Sequence, residues 1–210
     1  MRKDLADVTL IVDRSGSMLD CQIEAENGIN HFVEKQKLLP GDCNFTLVQF
    51  DDEYEVVHQN LNVKDVPVYK LIPRGMTALL DAVGRTINDI GTRLDKLNDE
   101  DKPGVVICVI VTDGQENSSH EFTKPQIKEM ITRQKDTYQW QFIFLGANQD
   151  AFAEAAAMGI PKANSANYNT ANSYAAYNAV NNNVSNIRCA SLQNKAVDAC
   201  FSDEDRNKML

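Results

Sequence analysis

The chain has 210 residues, 43% of them hydrophobic and 24% charged, and a formal net charge of −9. That size and mixture suit one globular domain with a substantial core. The acidic excess argues against a nucleic-acid partner, whose phosphates it would repel, and no apolar run reaches the roughly 18 residues that a membrane-spanning helix needs.

In chain order, strand-like and helix-like segments alternate. Residues 1–4 lead into a strand and not into an apolar signal segment, which gives a cytoplasmic expectation. Residues 7–12 form an aliphatic, β-branched strand. Ile23, Ile29, Phe32 and Leu38 recur at helical spacing over residues 19–38, and Pro40-Gly41 ends that helix. Residues 44–50 and 54–58 read as strands joined by the tight turn Asp51-Asp52-Glu53. They must therefore be antiparallel, with the second at the sheet edge and Glu53 and Glu55 guarding it.

Residues 77–97 give the longest helical pattern, with Leu79, Leu80, Val83, Ile87, Ile90 and Leu94 on one face. Residues 105–111, Val-Val-Ile-Cys-Val-Ile-Val, read as a central strand buried on both faces. A helix over 123–135, a buried strand over 140–145 and an alanine-rich helix over 150–158 follow. After Pro161 the composition turns to Asn, Ala and Tyr. A short strand is expected near 166–168, and Tyr174, Tyr177, Val180, Val184 and Ile187 predict a further helix. Residues 202–210 read as a frayed terminal helix with Ser202 and Asp205 as its cap. Sequential β-α-β units predict an α/β, doubly wound, Rossmann-like three-layer sandwich, its central sheet mostly parallel with one antiparallel edge strand.

The chemistry concentrates in three places. Asp13-Arg14-Ser15-Gly16-Ser17 follows the first strand directly, offering one carboxylate and two hydroxyls at alternate positions. Thr77 stands in Arg74-Gly75-Met76-Thr77, ahead of the long helix. Asp113 stands in Thr112-Asp113-Gly114, at the end of the aliphatic strand. In a doubly wound sheet, loops at the carboxyl ends of the strands share one edge, where ligands bind. Five oxygen donors from three loops are what a hard cation needs.

Asp-x-Ser-x-Ser, Gly-x-Thr and Thr-Asp-Gly, in this order and context, resemble the metal-ion-dependent adhesion site (MIDAS) of a von Willebrand factor type A domain, and all five positions match that pattern. Element order extends the resemblance over most of the chain, with residues 1–168 as the domain and 169–210 as C-terminal helices packed on it. Size, acidity and the lack of a leader are similar to stand-alone bacterial or phage versions.

The resemblance implies that Ser15 and Ser17 ligate a metal through their hydroxyls. It implies that Thr77, Asp13 and Asp113 do so directly or through water. The ion expected is Mg²⁺, with Mn²⁺ or Ca²⁺ as alternatives. The resemblance also implies a non-catalytic module whose protein partner offers an Asp or Glu to the metal, with movement of the last helix coupled to ligation. By family analogy alone, an ATPase is a candidate partner.

Other readings exist. A metal near two carboxylates can activate water for phosphoryl or ester hydrolysis. Against that, the chain has no Asp-x-Asp pair after the first strand, no Gly-x-x-x-x-Gly-Lys-Ser/Thr loop and no Gly-x-Ser-x-Gly elbow. A structural phage or assembly protein with a stabilising metal is the third reading. Arg74, Gln115, Glu116 and Asn117, beside the site, are candidates for partner choice, while Asp51-Asp52-Glu53 and Asp99-Glu100-Asp101 read as solvated turns. The five cysteines are odd in number and lack a Cys-x-x-Cys pair, which points to free thiols in a reducing compartment.

Overall fold

A computed structural model describes residues 1–147, 150–196 and 200–210. Six strands form one mixed sheet: β1 (Arg2–Asp13), β2 (Asp42–Phe50), β3 (Tyr54–Asn62), β4 (Pro103–Thr112), β5 (Gln141–Ala147) and β6 (Ser165–Tyr168). Their spatial order is β3-β2-β1-β4-β5-β6. Only β3 runs antiparallel, against β2 at the edge. The helices are α1 (Gln22–Lys37), α2 (Leu79–Asp95), α3 (Lys124–Tyr138), α4 (Ala151–Ala157), α5 (Ser173–Leu192) and α6 (Asp203–Met209). No helix among the described residues is long and apolar enough to cross a membrane.

The alternation of side chains along each strand divides the core in two. Val8, Leu10 and Val12 of β1, with Ile107 and Val109 of β4, face Ile29 and Phe32 of α1 and Val184 and Ile187 of α5. Ile11 of β1, with Cys108 and Ile110 of β4, faces Leu79, Val83 and Ile87 of α2 and Ile127 and Ile131 of α3. The connections after β1 and β4 thus leave to opposite faces, although the two strands are hydrogen-bonded neighbours. That divergence opens a crevice above their carboxyl ends.

The structure departs from the sequence pattern at several points. The first helix starts late, because a 3-10 turn at Gly16–Cys21 precedes it. Ile23 and Leu38 lie outside its buried stripe and are exposed. Tyr174 is exposed as well, with its ring 5.5 Å from that of His31. The terminal helix α6 is not frayed. Its Arg206 guanidinium donates to the carbonyls of Ser165, Lys162 and Ala163, Met209 is buried, and the Met209 carbonyl accepts from the Asn169 N–H.

The turn after β2 is not a solvated turn at its first residue. Asp51 is 1% exposed, and its Oδ2 accepts from Arg14 Nε (3.0 Å) and Arg74 Nε (2.8 Å). Glu55 pairs with Arg14, and Glu53 with Arg74. The two glutamates therefore help to fix the loops beside the crevice in addition to lying along the edge strand.

Candidate functional site at the carboxyl edge of the sheet

The five residues singled out in the sequence meet above β1 and β4. Asp13 ends β1 and is fully buried. Its Oδ1 accepts from the Ser15 N–H (2.7 Å), a local turn that points the following hydroxyls upward. Its Oδ2 accepts from Thr112 Oγ1 (2.6 Å) at the end of β4. Ser15 Oγ lies 3.0 Å from Ser17 Oγ, and Ser17 Oγ donates to Asp113 Oδ1 (2.7 Å). Ser15, Thr77 and Asp113 are buried, while Ser17 stands on the solvent side.

Gly114 shows how closely these groups converge. A Cβ placed on it would lie 3.0 Å from Thr77 Oγ1, 3.4 Å from Ser17 Oγ and 3.7 Å from Asp13 Oδ2. One methyl-sized position is thus ringed by three oxygens from two separate segments, the Asp13–Ser17 loop and Thr77, and glycine keeps it open.

The electrostatics are unbalanced. Burial pushes the Asp13 carboxyl up to about 6, against the opposing hydrogen bonds from Thr112 and Ser15. Burial also raises Asp113, opposed by the Ser17 hydroxyl. Among the described residues no basic side chain pairs with either carboxylate. Arg14, next in sequence to Asp13, turns away to Asp51 and Glu55. Two buried carboxylates with neutral hydroxyls and no counter-charge disfavour their own ionised state. A hard cation fits the donor set and would reverse that penalty. No group of three or more His, Cys, Asp or Glu among the described residues could hold a metal; this oxygen set has two carboxylates and three hydroxyls.

A scaffold outside the five residues holds the loops in place. The Asp51 carboxylate joins Arg14 of the first loop to Arg74 of the second. The backbone repeats this link through Arg74 N–H to Arg14 O (2.7 Å) and Gly16 N–H to Gly75 O (3.2 Å). Gly75 adopts a left-handed φ of +69°, and a side chain there would collide with Asp52. Asn117 clamps the Thr77 backbone from both sides, its N–H donating to Thr77 O and its Oδ1 accepting from Thr77 N–H.

Glu116 is equally committed, accepting from the N–H groups of Leu80, Ser118 and Ser119. Asp81 accepts from the N–H groups of His120, Glu121 and Phe122. Of the four neighbours considered for partner choice, Arg74, Glu116 and Asn117 thus hold loops in place, while Gln115 is exposed. Sequence reasoning missed Asp51 and Asp81 as buried hubs. The proline- and glycine-poor acidic turn at 51–53 looks solvated, and Asp81 looks like any first-turn helix acid.

The fold and the switch-point crevice define an α/β domain with an oxygen-lined cradle at the carboxyl edge. The sequence model of the von Willebrand factor type A domain matches residues 7–183, and the chain belongs to that family.

Among solved structures, the fold is similar to proximal thread matrix protein 1 of the mussel byssus with its MIDAS motif occupied by zinc. The TM-score is 0.58 at 16% identity, covering 89% of this chain and 46% of that one. It is also similar to a von Willebrand factor type A protein from Catenulispora acidiphila, with a TM-score of 0.55 at 15% identity, covering 89% of this chain and 42% of that one. Manganese-loaded TRAP from Plasmodium vivax gives 0.55 at 15% identity, with 83% and 72% covered. The chain therefore spans less than half the length of the first two, and at such identities the likeness concerns the fold. Among curated proteins none matches the chain significantly in sequence.

Proposed function

We propose that the chain is a non-catalytic protein-binding module that works through a divalent cation, Mg²⁺ in the first place, held by Asp13, Ser15, Ser17, Thr77 and Asp113 as a complete MIDAS. The carrying observation is the convergence of Thr77, Ser17 and Asp13 on the open position at Gly114, beside two buried carboxylates without a counter-charge. The all-oxygen donor set suits Mg²⁺, Mn²⁺ or Ca²⁺ better than a softer ion. When bound, the cation supplies a Lewis-acidic, locally positive position that takes a carboxylate from a partner's Asp or Glu.

The residues of this chain divide the remaining work. Asp13, oriented by Thr112 and the Ser15 N–H, provides charge from the floor of the crevice. Ser15 and Ser17 provide neutral oxygens and leave the total negative charge low enough for a third, incoming carboxylate. Thr77 is set in height by Asn117, and Asp113 closes the far side through Ser17.

The family match and the zinc and manganese structures of similar fold support this reading. Residues 1–168 form the binding domain in this view, with 169–210 packed on it. The test is capture of partners from a host lysate on immobilised protein in Mg²⁺, followed by elution with chelator. The reading expects a chelator-released partner that Asp13→Ala and Asp113→Ala no longer capture. Partners retained by both variants and in chelator would sink it.

A further inference from the structure

Between β3 and α2 the chain runs alongside α1 as an extended strap that belongs to no strand of the sheet. Tyr69 and Leu71 are buried in the core, while Val68, Lys70 and Ile72 face solvent. That alternation has the two-residue period of a β-strand. Pro67 and Pro73 bracket the strap and favour extended backbone at the residues before them, Val66 and Ile72. Val66 is extended accordingly, at φ −68° and ψ 121°.

Along one edge of the strap, α1 does what a neighbouring strand would do. Gln22, Glu26 and Asn30 stand in one row of the helix, four residues apart. Asn30 takes both main-chain groups of Tyr69, donating to its C=O (2.9 Å) and accepting from its N–H (2.8 Å). Glu26 accepts from the Leu71 N–H (3.0 Å), and Gln22 donates to the Leu71 C=O (2.7 Å). Four helical residues rise about 6.0 Å and two extended residues about 6.6 Å. The helix row therefore keeps step with alternate strap residues.

The other edge is open. In an extended chain, successive residues turn their N–H and C=O groups to opposite sides, so Val68, Lys70 and Ile72 present theirs away from α1. None of these groups makes a hydrogen bond among the described residues. Val68 is 78% and Ile72 68% exposed. Lys70 is exposed too, and it joins no ion pair among the described residues. The strap is thus held extended from behind and offers evenly spaced donors and acceptors in front, the template on which another strand pairs.

We propose that residues 68–72 are a strand-addition site, taken by an extended partner segment of the pattern apolar-x-acidic-x-apolar. Main-chain bonds to Val68, Lys70 and Ile72 hold the segment, and the side chains opposite them select it. Lys70 calls for a carboxylate at the centre, and Val68 and Ile72 call for apolar neighbours on either side. A second copy of this chain fits poorly, because antiparallel pairing about Lys70 sets two lysines directly opposite each other. Two residues beyond Ile72 the chain enters the Arg74–Thr77 loop, so the open edge is continuous with the proposed binding face. The pairing itself uses none of the five oxygen donors and goes beyond the metal-dependent reading.

The test is a titration of the full chain, in chelator, with the peptide acetyl-Thr-Ile-Thr-Glu-Thr-Ile-Thr-amide. Backbone amide shifts and amide exchange with water are followed. The expected result is saturable binding that shifts and protects the amides of Val68, Lys70 and Ile72 more than those of Tyr69 and Leu71. N-methylation of the peptide's glutamate removes a main-chain donor and keeps the charge; it should weaken binding about tenfold. A peptide with lysine in place of the glutamate should bind about fivefold more weakly, and Lys70→Glu, an exposed substitution, should reverse that preference. No saturable binding, full affinity after N-methylation, or an unchanged charge preference in Lys70→Glu would overturn the proposal. A dimer of the chain alone that protects the same three amides would assign the edge to a second copy and overturn it as well. Peptide binding in chelator alongside a failure of metal-dependent capture would reject the metal reading and leave the strand-addition site standing.

Discussion

The Thr112 hydroxyl donates a 2.6 Å hydrogen bond to Asp13 Oδ2 across the pair of central strands β4 and β1. It is the largest single interaction opposing the burial of that carboxylate. Thr112→Val keeps the shape and removes the donor. A hydrogen bond to a charged group is worth about 1.5–3 kcal/mol, so the substitution should weaken Mg²⁺ binding by at least tenfold while the fold persists. Calorimetric titration beside a circular-dichroism melt checks both halves; unchanged affinity would mean that Thr112 does not orient Asp13.

The buried carboxylates make the stability of the metal-free protein depend on pH in an unusual direction. The folded-state value of Asp13, about 6, lies above the roughly 3.9 of an unfolded aspartate. The folded state therefore binds the proton more tightly. The stability from this group is fully present below about pH 4 and is lost as pH rises through about 6. Urea unfolding in chelator should show a contribution about 1–2 kcal/mol more favourable at pH 5 than at pH 7.5. That contribution should vanish in Asp13→Asn, and Mg²⁺ should offset the loss at the higher pH. A wild type and an Asp13→Asn variant with identical pH profiles would contradict the electrostatic reading of the crevice.

Asp51 is a buried hub, and its loss should be expensive. Asp51→Ala strands the guanidinium of Arg14, itself only 5% exposed, with Glu55 as its remaining close partner. Removing one member of a buried ion pair costs about 3–5 kcal/mol. Chemical denaturation measures this. Metal affinity should fall as well, because the Asp13–Ser17 and Arg74–Thr77 loops lose their common anchor. A stability change under about 1 kcal/mol would show that the backbone links between these loops suffice alone.

Asp81 should behave differently. Asp81→Ala leaves three N–H groups at 120–122 without their acceptor, at a cost of about 1–3 kcal/mol for the unsatisfied group left behind. Those residues lie beyond the Asp113–Asn117 loop, so hydrogen exchange should rise at 116–122 before it rises in β1. Exchange that rises uniformly would place Asp81 in the global core and not in this loop.

The central sheet was legible because a run such as Val105–Val111 fits few other places, and because Asp13 and Asp113 stand immediately after two such runs. The meeting of the five candidate donors at one edge of the sheet was legible for the same reason: each follows a strong strand or precedes a strong helix. The anchors were not. Asp51 and Asp81 are carboxylates in acidic or helical surroundings, and only the folded chain shows that Arg14, Arg74 and the 120–122 backbone meet them. Ile23 and Leu38 fit the helical period of α1 yet face solvent, since period alone does not say how wide the buried stripe is. The terminal helix looked frayed because the carbonyls that Arg206 grips lie some forty residues earlier in the chain.

The most direct measurement is equilibrium titration of the purified chain with Mg²⁺, and with Mn²⁺ followed by electron paramagnetic resonance, alongside Gly114→Ala and Asp113→Ala. The account predicts one divalent site per chain in the wild type. It predicts sharply reduced affinity in Gly114→Ala, whose methyl would occupy the position ringed by Thr77, Ser17 and Asp13, and loss of the site in Asp113→Ala, with both variants still folded. No divalent binding by the wild type, or binding that both variants retain in full, would contradict it.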